Sequence, residues 1–276
     1  TYDHYSIKSI YNMATTKNIQ SIERAFAILE LFQKNREELG IKEISQMLDL
    51  NKSTAFGFVN TLFSLGYLHQ NEQTQRYSLG PKVLGLSNAA QIHNIIIRSA
   101  HPYLEMLSDQ FGETAHCAVE AHGSVIYLDK VEAQGAIYIN TQIGAKNYIH
   151  CTGVGKCILA YMPTERKEAI LSRKLTTMTY NTLSKADQLR ENLSLVVQRG
   201  YAIDNEEIEI GLSCIAVPVF NAPNKVACAI SISGFTPRMQ ESDKQEKMIK
   251  TLQQYSQELS VKLYQYHPHE EFKQSR

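Results

Sequence analysis

The chain has no excess charge of either sign: 28 lysines and arginines balance 28 aspartates and glutamates over 276 residues. Net charge therefore points to no acidic or basic partner. Long apolar runs are missing too. Stretches such as Ile95-Ile96-Ile97 fall far short of the ~18 residues a membrane helix needs, which argues against a membrane partner. The start, TYDHYSIKSIYNMATTKN, lacks the apolar core of a secretory signal, and residues 1–17 read as a disordered leader. Five cysteines, an odd number, include no C-x-x-C pair, which argues against a disulfide framework and a structural zinc site. They read as reduced, buried thiols of a cytoplasmic protein. No internal repeat or low-complexity tract is visible. What remains is a globular composition, 43% hydrophobic and 20% charged, in a chain long enough for two domains.

Residues 18–80 follow one grammar. A first helix is expected from about Ile22 to Lys34, with Ala25, Ile28, Leu29 and Phe32 on one face, and a short second helix from Ile41 to Leu48. After the break at Asp49-Leu50-Asn51, the segment LNKSTAFGFVNTLFSLGYL places Ala55, Phe58, Val59 and Leu62 at i, i+3, i+4, i+7, the stripe of a helix with one face in a core. Asn51 or Ser53 is the expected cap and Gly66 the stop. Two short β segments then flank the polar turn NEQTQ. Helix, short helix, tight turn, helix and hairpin is winged helix-turn-helix order, in which the third helix enters the DNA major groove. Lys52, Ser53 and Thr54 suit phosphate contact at that helix's N-terminus. Its outer face shows Ser53, Phe56, Gly57, Asn60 and Ser64. Candidate DNA contacts are thus Asn51, Lys52, Ser53, Thr54, Phe56, Gly57 and Asn60, with Arg76 from the hairpin. Only six basic residues face seven acidic ones between Asn18 and Gly80, so affinity for double-stranded DNA needs pairing of copies. A plain three-helix domain with a solvated face is the competing reading.

From Pro81 the grammar changes. A linker helix is expected over 81–95 and a further helix from about Ile95 to Gln110, closed by Gly112. TAHCAVEA, SVIYLDKVE and AIYINTQI are strand-like. Helical segments at 153–162, 165–172 and 186–198 follow, the last after a box-like Ser184-x-x-Asp187. CIAVPVF and KVACAISIS flank a turn at 221–224, and a long helix ends the domain near Tyr264. Strands in hairpins with helices between them predict an α+β domain, residues 96–266, around an antiparallel sheet, with a tail from 267 to 276.

Gly-Val-Gly-Lys at 153–156 fails as a phosphate loop, because His150 stands where glycine is needed and Cys157 where Ser or Thr is needed. Free amides at Gly153 and Val154 of a helix start still suit a small anion such as a carboxylate, whereas close packing alone also explains the glycines. Ser231 and Ser233 alternate with Ile230 and Ile232, so both hydroxyls share one strand face. The acidic run Asp204, Glu206, Glu207, Glu209 reads as solvated. His116-Cys117 and His150-Cys151 are strand neighbours on opposite faces and cannot act locally as nucleophile and base. Nothing calls for a metal or a cofactor, and catalysis ranks below regulation.

SIERAFAILELF, NKSTAFGFVNTLFSLGYL, RYSLGPKVLGL, TGVGKCILAYMP and GYAIDNEEIEIGLSCIAVPVFN…AISISG together resemble the IclR family of bacterial transcriptional regulators, in order from about Asn18 to Leu263. The wording of Gly200 to Gly234 resembles the branch that controls sugar-acid degradation. The resemblance implies a winged helix-turn-helix, a linker helix and a GAF-like effector domain, assembled as a homodimer or tetramer. It implies effector contacts around Gly153 and Val154 and at Asp204, Cys214, Ser231 and Ser233. Where the family usually continues Lys-Ser-Thr with a basic or aromatic-basic pair, this chain has Ala55, Phe56, Gly57. The missing arginine removes the commonest guanine contact; Phe56 is then placed to touch a thymine methyl and Gly57 to let the backbone lie close to DNA. Operator DNA and a small carboxylate-bearing metabolite are the expected partners, and repression the expected sign. The competing reading is a small-molecule-binding or metabolic enzyme domain beside a helical module that does not bind DNA.

Overall fold

A computed structural model describes residues 18–35, 38–135 and 139–265. The expected leader, the tail and 136–138 of the strand-like AIYINTQI lie outside them. The chain separates into two compact units at Ala89/Ala90.

The first unit contains α1 (Gln20–Asn35), α2 (Ile41–Met47), α3 (Lys52–Ser64), β1 (Leu68–Gln70), β2 (Tyr77–Leu79) and α4 (Lys82–Ala89). Ile28, Ile44, Ala55 and Val59 are fully buried, and Leu62, Leu68 and Tyr77 close the core around them. This is the stripe read from the α3 spacing, with Phe58 packed at its margin. The α3 start departs from expectation. Asn51 is the N-cap, but its side chain makes no capping bond, and the turn is held by the main chain through Ala55 N–H to Asn51 O at 2.9 Å. Gly66, left-handed at φ 80°, ends the helix and turns the chain into β1. The hairpin is antiparallel, and Leu39 bridges to Tyr77 at its edge. No α4 residue is buried.

The second unit is a six-stranded antiparallel sheet in the order β5-β4-β3-β8-β7-β6. Its strands are β3 (Thr114–Ala121), β4 (Ser124–Val131), β5 (Lys146–Tyr148), β6 (Ala202–Asn205), β7 (Leu212–Ala222) and β8 (Lys225–Phe235). On one face lie α5 (Gln91–Phe111) and α10 (Ser242–Gln265); on the other lie α6 (Gly153–Ala160) and α8 (Ala186–Arg199). Two short helices, α7 (Thr164–Leu171) and α9 (Thr236–Met239), complete the unit. Strand alternation divides the core. Ile215, Val217, Ile230 and Ile232 belong to the α5/α10 side, while Cys214, Ala216 and Ala229 belong to the α6/α8 side.

Three expectations change. The linker segment 81–95 is not one helix: α4 ends at Ala89, Ala90 turns at φ −78°, ψ 57°, and α5 begins at Gln91. Residues 139–143 of AIYINTQI form no strand, and the sheet edge is Lys146–Tyr148 instead. The α8 cap is Lys185 without a side-chain bond, because Asp187 pairs with Arg190 at 2.7 Å rather than reaching back to Ser184.

Candidate functional site

On α3 the face opposite the core is open. Asn51, Lys52, Ser53, Gly57 and Asn60 are exposed, Thr54 is half-buried, and Phe56 is 53% exposed. A Cβ placed on Gly57 would meet nothing within 4 Å. Packing within this unit therefore explains neither Phe56 nor Gly57, and a helix that keeps an interior glycine without a packing reason gives up about 1 kcal/mol of stability. Arg76 departs from the expected DNA contact. Its Nε and Nη2 donate to Glu38 O at 3.0 and 2.7 Å, and Nη2 also meets Glu43 Oε2 at 2.8 Å. The Glu43 carboxylate in turn accepts the Gly40 amide. Arg76 thus ties the hairpin to the start of α2, which leaves its guanidinium occupied within the domain.

In the second unit, Gly153, Val154, Asp204, Cys214, Ser231 and Ser233 line one cavity of about 90 Å³, joined by His116, Tyr127, Thr141, Asn147, Thr152 and Glu209. A water needs roughly 10–15 Å³ on this measure, so there is room for a small organic molecule. The wall is built by α6 lying tightly on β7. A Cβ at Gly153 would come within 2.9 Å of Cys214 Sγ, and one at Gly155 within 2.3 Å of Ile149 O. Both glycines are thus required by packing. The same contact brings the first turn of α6 to the cavity. Thr152 Oγ1 accepts the Gly155 amide at 3.1 Å, while Gly153 and Val154, whose amides have no acceptor within the helix itself, line the cavity.

The electrostatics come from burial. Asp204 is 4% exposed, and loss of water pushes its carboxyl up to about 7, although Lys156 and the amides of Glu207 and Ile208 pull the other way. His116 lies buried with Nε2 2.8 Å from Thr141 Oγ1; burial first, and then Lys130, depress it to about 3, so it is neutral. Burial holds the Cys214 thiol up at about 11 and raises Tyr127 further, so both are neutral donors or acceptors. Behind the cavity Lys156 Nζ contacts Glu207 Oε1 and lies 2.5 Å from Ile203 O, with both side chains out of solvent.

Glu207 and Asp204 correct the reading of 204–209 as a solvated run. Sequence reasoning also passes over Tyr127 and Thr152, and weighs Lys156 and His116 only for a phosphate loop and a nucleophile–base pair. Only Thr152 carried a local signal, a threonine directly before a helical pattern. His116 and Cys117 do face opposite ways, the first into the cavity and the second into the α5/α10 core. Among the described residues no group of three or more His, Cys, Asp or Glu side chains is placed to hold a metal.

Residues 21–72 match the IclR helix-turn-helix domain, and residues 88–261 match the bacterial transcriptional regulator IclR C-terminal domain. The chain belongs to the IclR family. HTH-type transcriptional regulator KdgR of Dickeya chrysanthemi is 36% identical over 83% of this chain and 75% of its own length. HTH-type transcriptional repressor AllR of Escherichia coli K12 is 30% identical over 82% of this chain and 83% of its own. Among solved structures, the Thermotoga maritima IclR superposes with a TM-score of 0.73 at 29% identity, covering 90% of this chain and 100% of that one. These IclR relatives are transcriptional regulators, and so is this chain: a DNA-binding helix-turn-helix domain joined to a C-terminal effector-type domain, and not an enzyme. No helix among the described residues is long and apolar enough to cross a membrane.

Proposed function

We propose that this regulator acts in the cytoplasm as a homodimer or tetramer that represses transcription from an operator, and that a small organic or sugar acid in the β-sheet cavity changes its grip on DNA. The carrying observation is that Gly153, Val154, Asp204, Cys214, Ser231 and Ser233, drawn from four separate elements, line one cavity. In this reading the effector carboxylate meets the amides of Gly153 and Val154, and its hydroxyls meet Ser231, Ser233 or Asp204. Repression follows the sign carried in the name of the AllR relative.

Assembly is supported by what the first unit leaves bare. Ile19, Ile22 and Phe26 are each more than half exposed at and along α1, as are Leu84 and Leu86 on α4. A second copy of this chain is the proposed cover, and it would supply the second half-site that a charge-balanced reading head needs. At the DNA, Lys52 holds phosphate while Phe56 reads a thymine methyl.

The experiment is a thermal-shift screen of small monocarboxylic, sugar and aromatic acids, followed by gel shift on DNA upstream of the gene. Lys52→Ala should weaken binding to every sequence, and Phe56→Ala should relax discrimination at thymines. Failure of the full-length protein to retain any duplex DNA at low salt would end the operator reading. Failure of every acid to raise the melting temperature would end the effector reading.

A further inference from the structure

An acid in this cavity meets an electrostatic obstacle. Two carboxylates, Asp204 and Glu209, line the wall, and among the described residues no lysine or arginine does. The groups packed around Asp204 come from every side. α6 and the residues before it give Lys156 and Cys151, the turn after β6 gives Glu207, and β7 gives Cys214. His116 of β3, Tyr127 of β4, and Ser231 and Ser233 of β8 complete the wall. Lys156 is the one cation in this set; its ammonium is held by Glu207 and offsets the burial of Asp204 only in part. His116 and the thiols are neutral. A bound carboxylate facing an ionised Asp204 would set two anions together in a space from which water is excluded.

We infer that the effector enters together with a proton: Asp204 is neutral in the complex and donates its O–H to an effector oxygen, while the amides of Gly153 and Val154 hold the effector carboxylate. The inference rests on the reading that the cavity takes a small carboxylate, and it narrows that class to monoanions bearing an acceptor oxygen beside the carboxylate. Asp204 Oδ1 accepts the Glu207 amide at 2.8 Å and the carboxyl also takes the Ile208 amide; with two lone pairs on each oxygen, Oδ2 still has one to carry the proton. The proton comes from solvent. Burial places the free carboxyl near 7, so it is mostly protonated at pH 6 and mostly ionised at pH 8.5. Above 7, affinity then falls about tenfold per pH unit. His116, near 3, does not titrate in that window, and an ordinary carboxylic acid is ionised throughout it.

The test is isothermal titration of the full-length protein with D-galacturonate, D-gluconate and L-lactate at pH 6 and pH 8.5, each in two buffers of different ionisation enthalpy. The tightest probe should weaken about 30-fold from pH 6 to pH 8.5. Proton uptake should be close to zero at the lower pH and close to one at the higher. Asp204→Asn, which keeps a donor without the charge, should bind that probe with less than about twofold change across the range. If that variant fails to fold, uptake by the wild type decides alone. Equal affinity at both pH values without proton uptake overturns the inference and leaves the effector reading standing. Full wild-type pH dependence in Asp204→Asn overturns the assignment to Asp204. No binding of any acid at pH 6 overturns the inference together with the effector reading.

Discussion

Lys156 and Glu207 stand 51 residues apart in the chain, yet their side chains meet in a region closed to solvent, Nζ against Oε1. The same ammonium reaches Ile203 O, at the end of which strand Asp204 turns into the cavity wall. The pair fixes the start of α6 to the turn after β6, and so sets the distance between the Gly153 amides and Asp204.

Removing one member should leave the other buried and unpaired. Lys156→Met or Glu207→Gln should each destabilise the second unit by about 3–5 kcal/mol. Urea denaturation followed by circular dichroism reads this as a lowered midpoint at unchanged slope. A single variant within 1 kcal/mol of wild type would mean that the pair is solvated in solution.

Asp204 gives a pH-dependent stability that can be isolated by difference. Its folded carboxyl lies near 7, above the ordinary value of 3.8, so the native state holds its proton more tightly than the unfolded chain. The stabilisation is full below about 4 and is lost as pH rises through 7. His116, depressed to about 3, works in the opposite direction, its contribution fading as pH falls from 6.5. Their sum hides either one. Asp204→Asn minus wild type removes the His116 part: the variant should gain relative stability between pH 4 and 7, on the order of a few kcal/mol by pH 8. A difference that stays flat from pH 4 to pH 8 would show that water reaches Asp204.

Local periodicity made the scaffold legible and left the charged part of the site hidden. Ala55, Val59 and Leu62 are buried where a 3.6-residue stripe puts them, and Ser231 and Ser233 share a face because strands alternate. Glu207 looked solvated because its neighbours Asn205, Glu206 and Glu209 are polar, and its partner lies on a helix that no local pattern links to it. Arg76 read as a DNA contact for a similar reason, since its partners Glu38 and Glu43 lie more than 30 residues upstream. Caps were over-read: Asn51 and Ser184 have the right chemistry, but the main chain and the Asp187–Arg190 pair satisfy those turns.

Gly57 separates folding from DNA reading. An added methyl meets nothing in the chain, so Gly57→Ala should raise stability by about 0.5–1 kcal/mol, the ordinary gain from alanine in a helix interior. Against operator DNA the same methyl should cost about tenfold in affinity, about 1.4 kcal/mol. Thermal melts and gel shifts on one preparation measure both. A variant that is more stable and binds DNA as well as wild type would remove the close backbone approach.

Arg76 and Lys52 should behave differently in salt. Lys52 is exposed at the start of α3 and should account for about one unit in the slope of log affinity against log salt, a unit lost in Lys52→Ala. Arg76→Ala should leave that slope unchanged and instead lower the stability of the first unit by about 1 kcal/mol, since the guanidinium ties Glu38 and Glu43 and is partly solvated. A slope that drops by one in Arg76→Ala would return that residue to the DNA contact set.

Coupling between the two sites is the last expectation. Ser231 and Ser233 are buried on β8 beside the Cys214 thiol, within its hydrogen-bonding reach, and carry no part of the α5/α10 core. Replacing both with alanine should lower affinity for the effector by about tenfold, the worth of one or two neutral hydrogen bonds, and leave effector-free operator binding within about twofold. In the wild type, effector and operator should alter one another's affinity by one common factor, of roughly 5 to 150, because a coupling free energy of 1–3 kcal/mol is reciprocal. Fluorescence anisotropy on labelled operator, with and without saturating effector, gives one side of that equality. Titration calorimetry with and without DNA gives the other. If the double variant binds effector as tightly as wild type, the serines do not touch it. If operator affinity is the same at zero and at saturating effector, the second unit does not control the first.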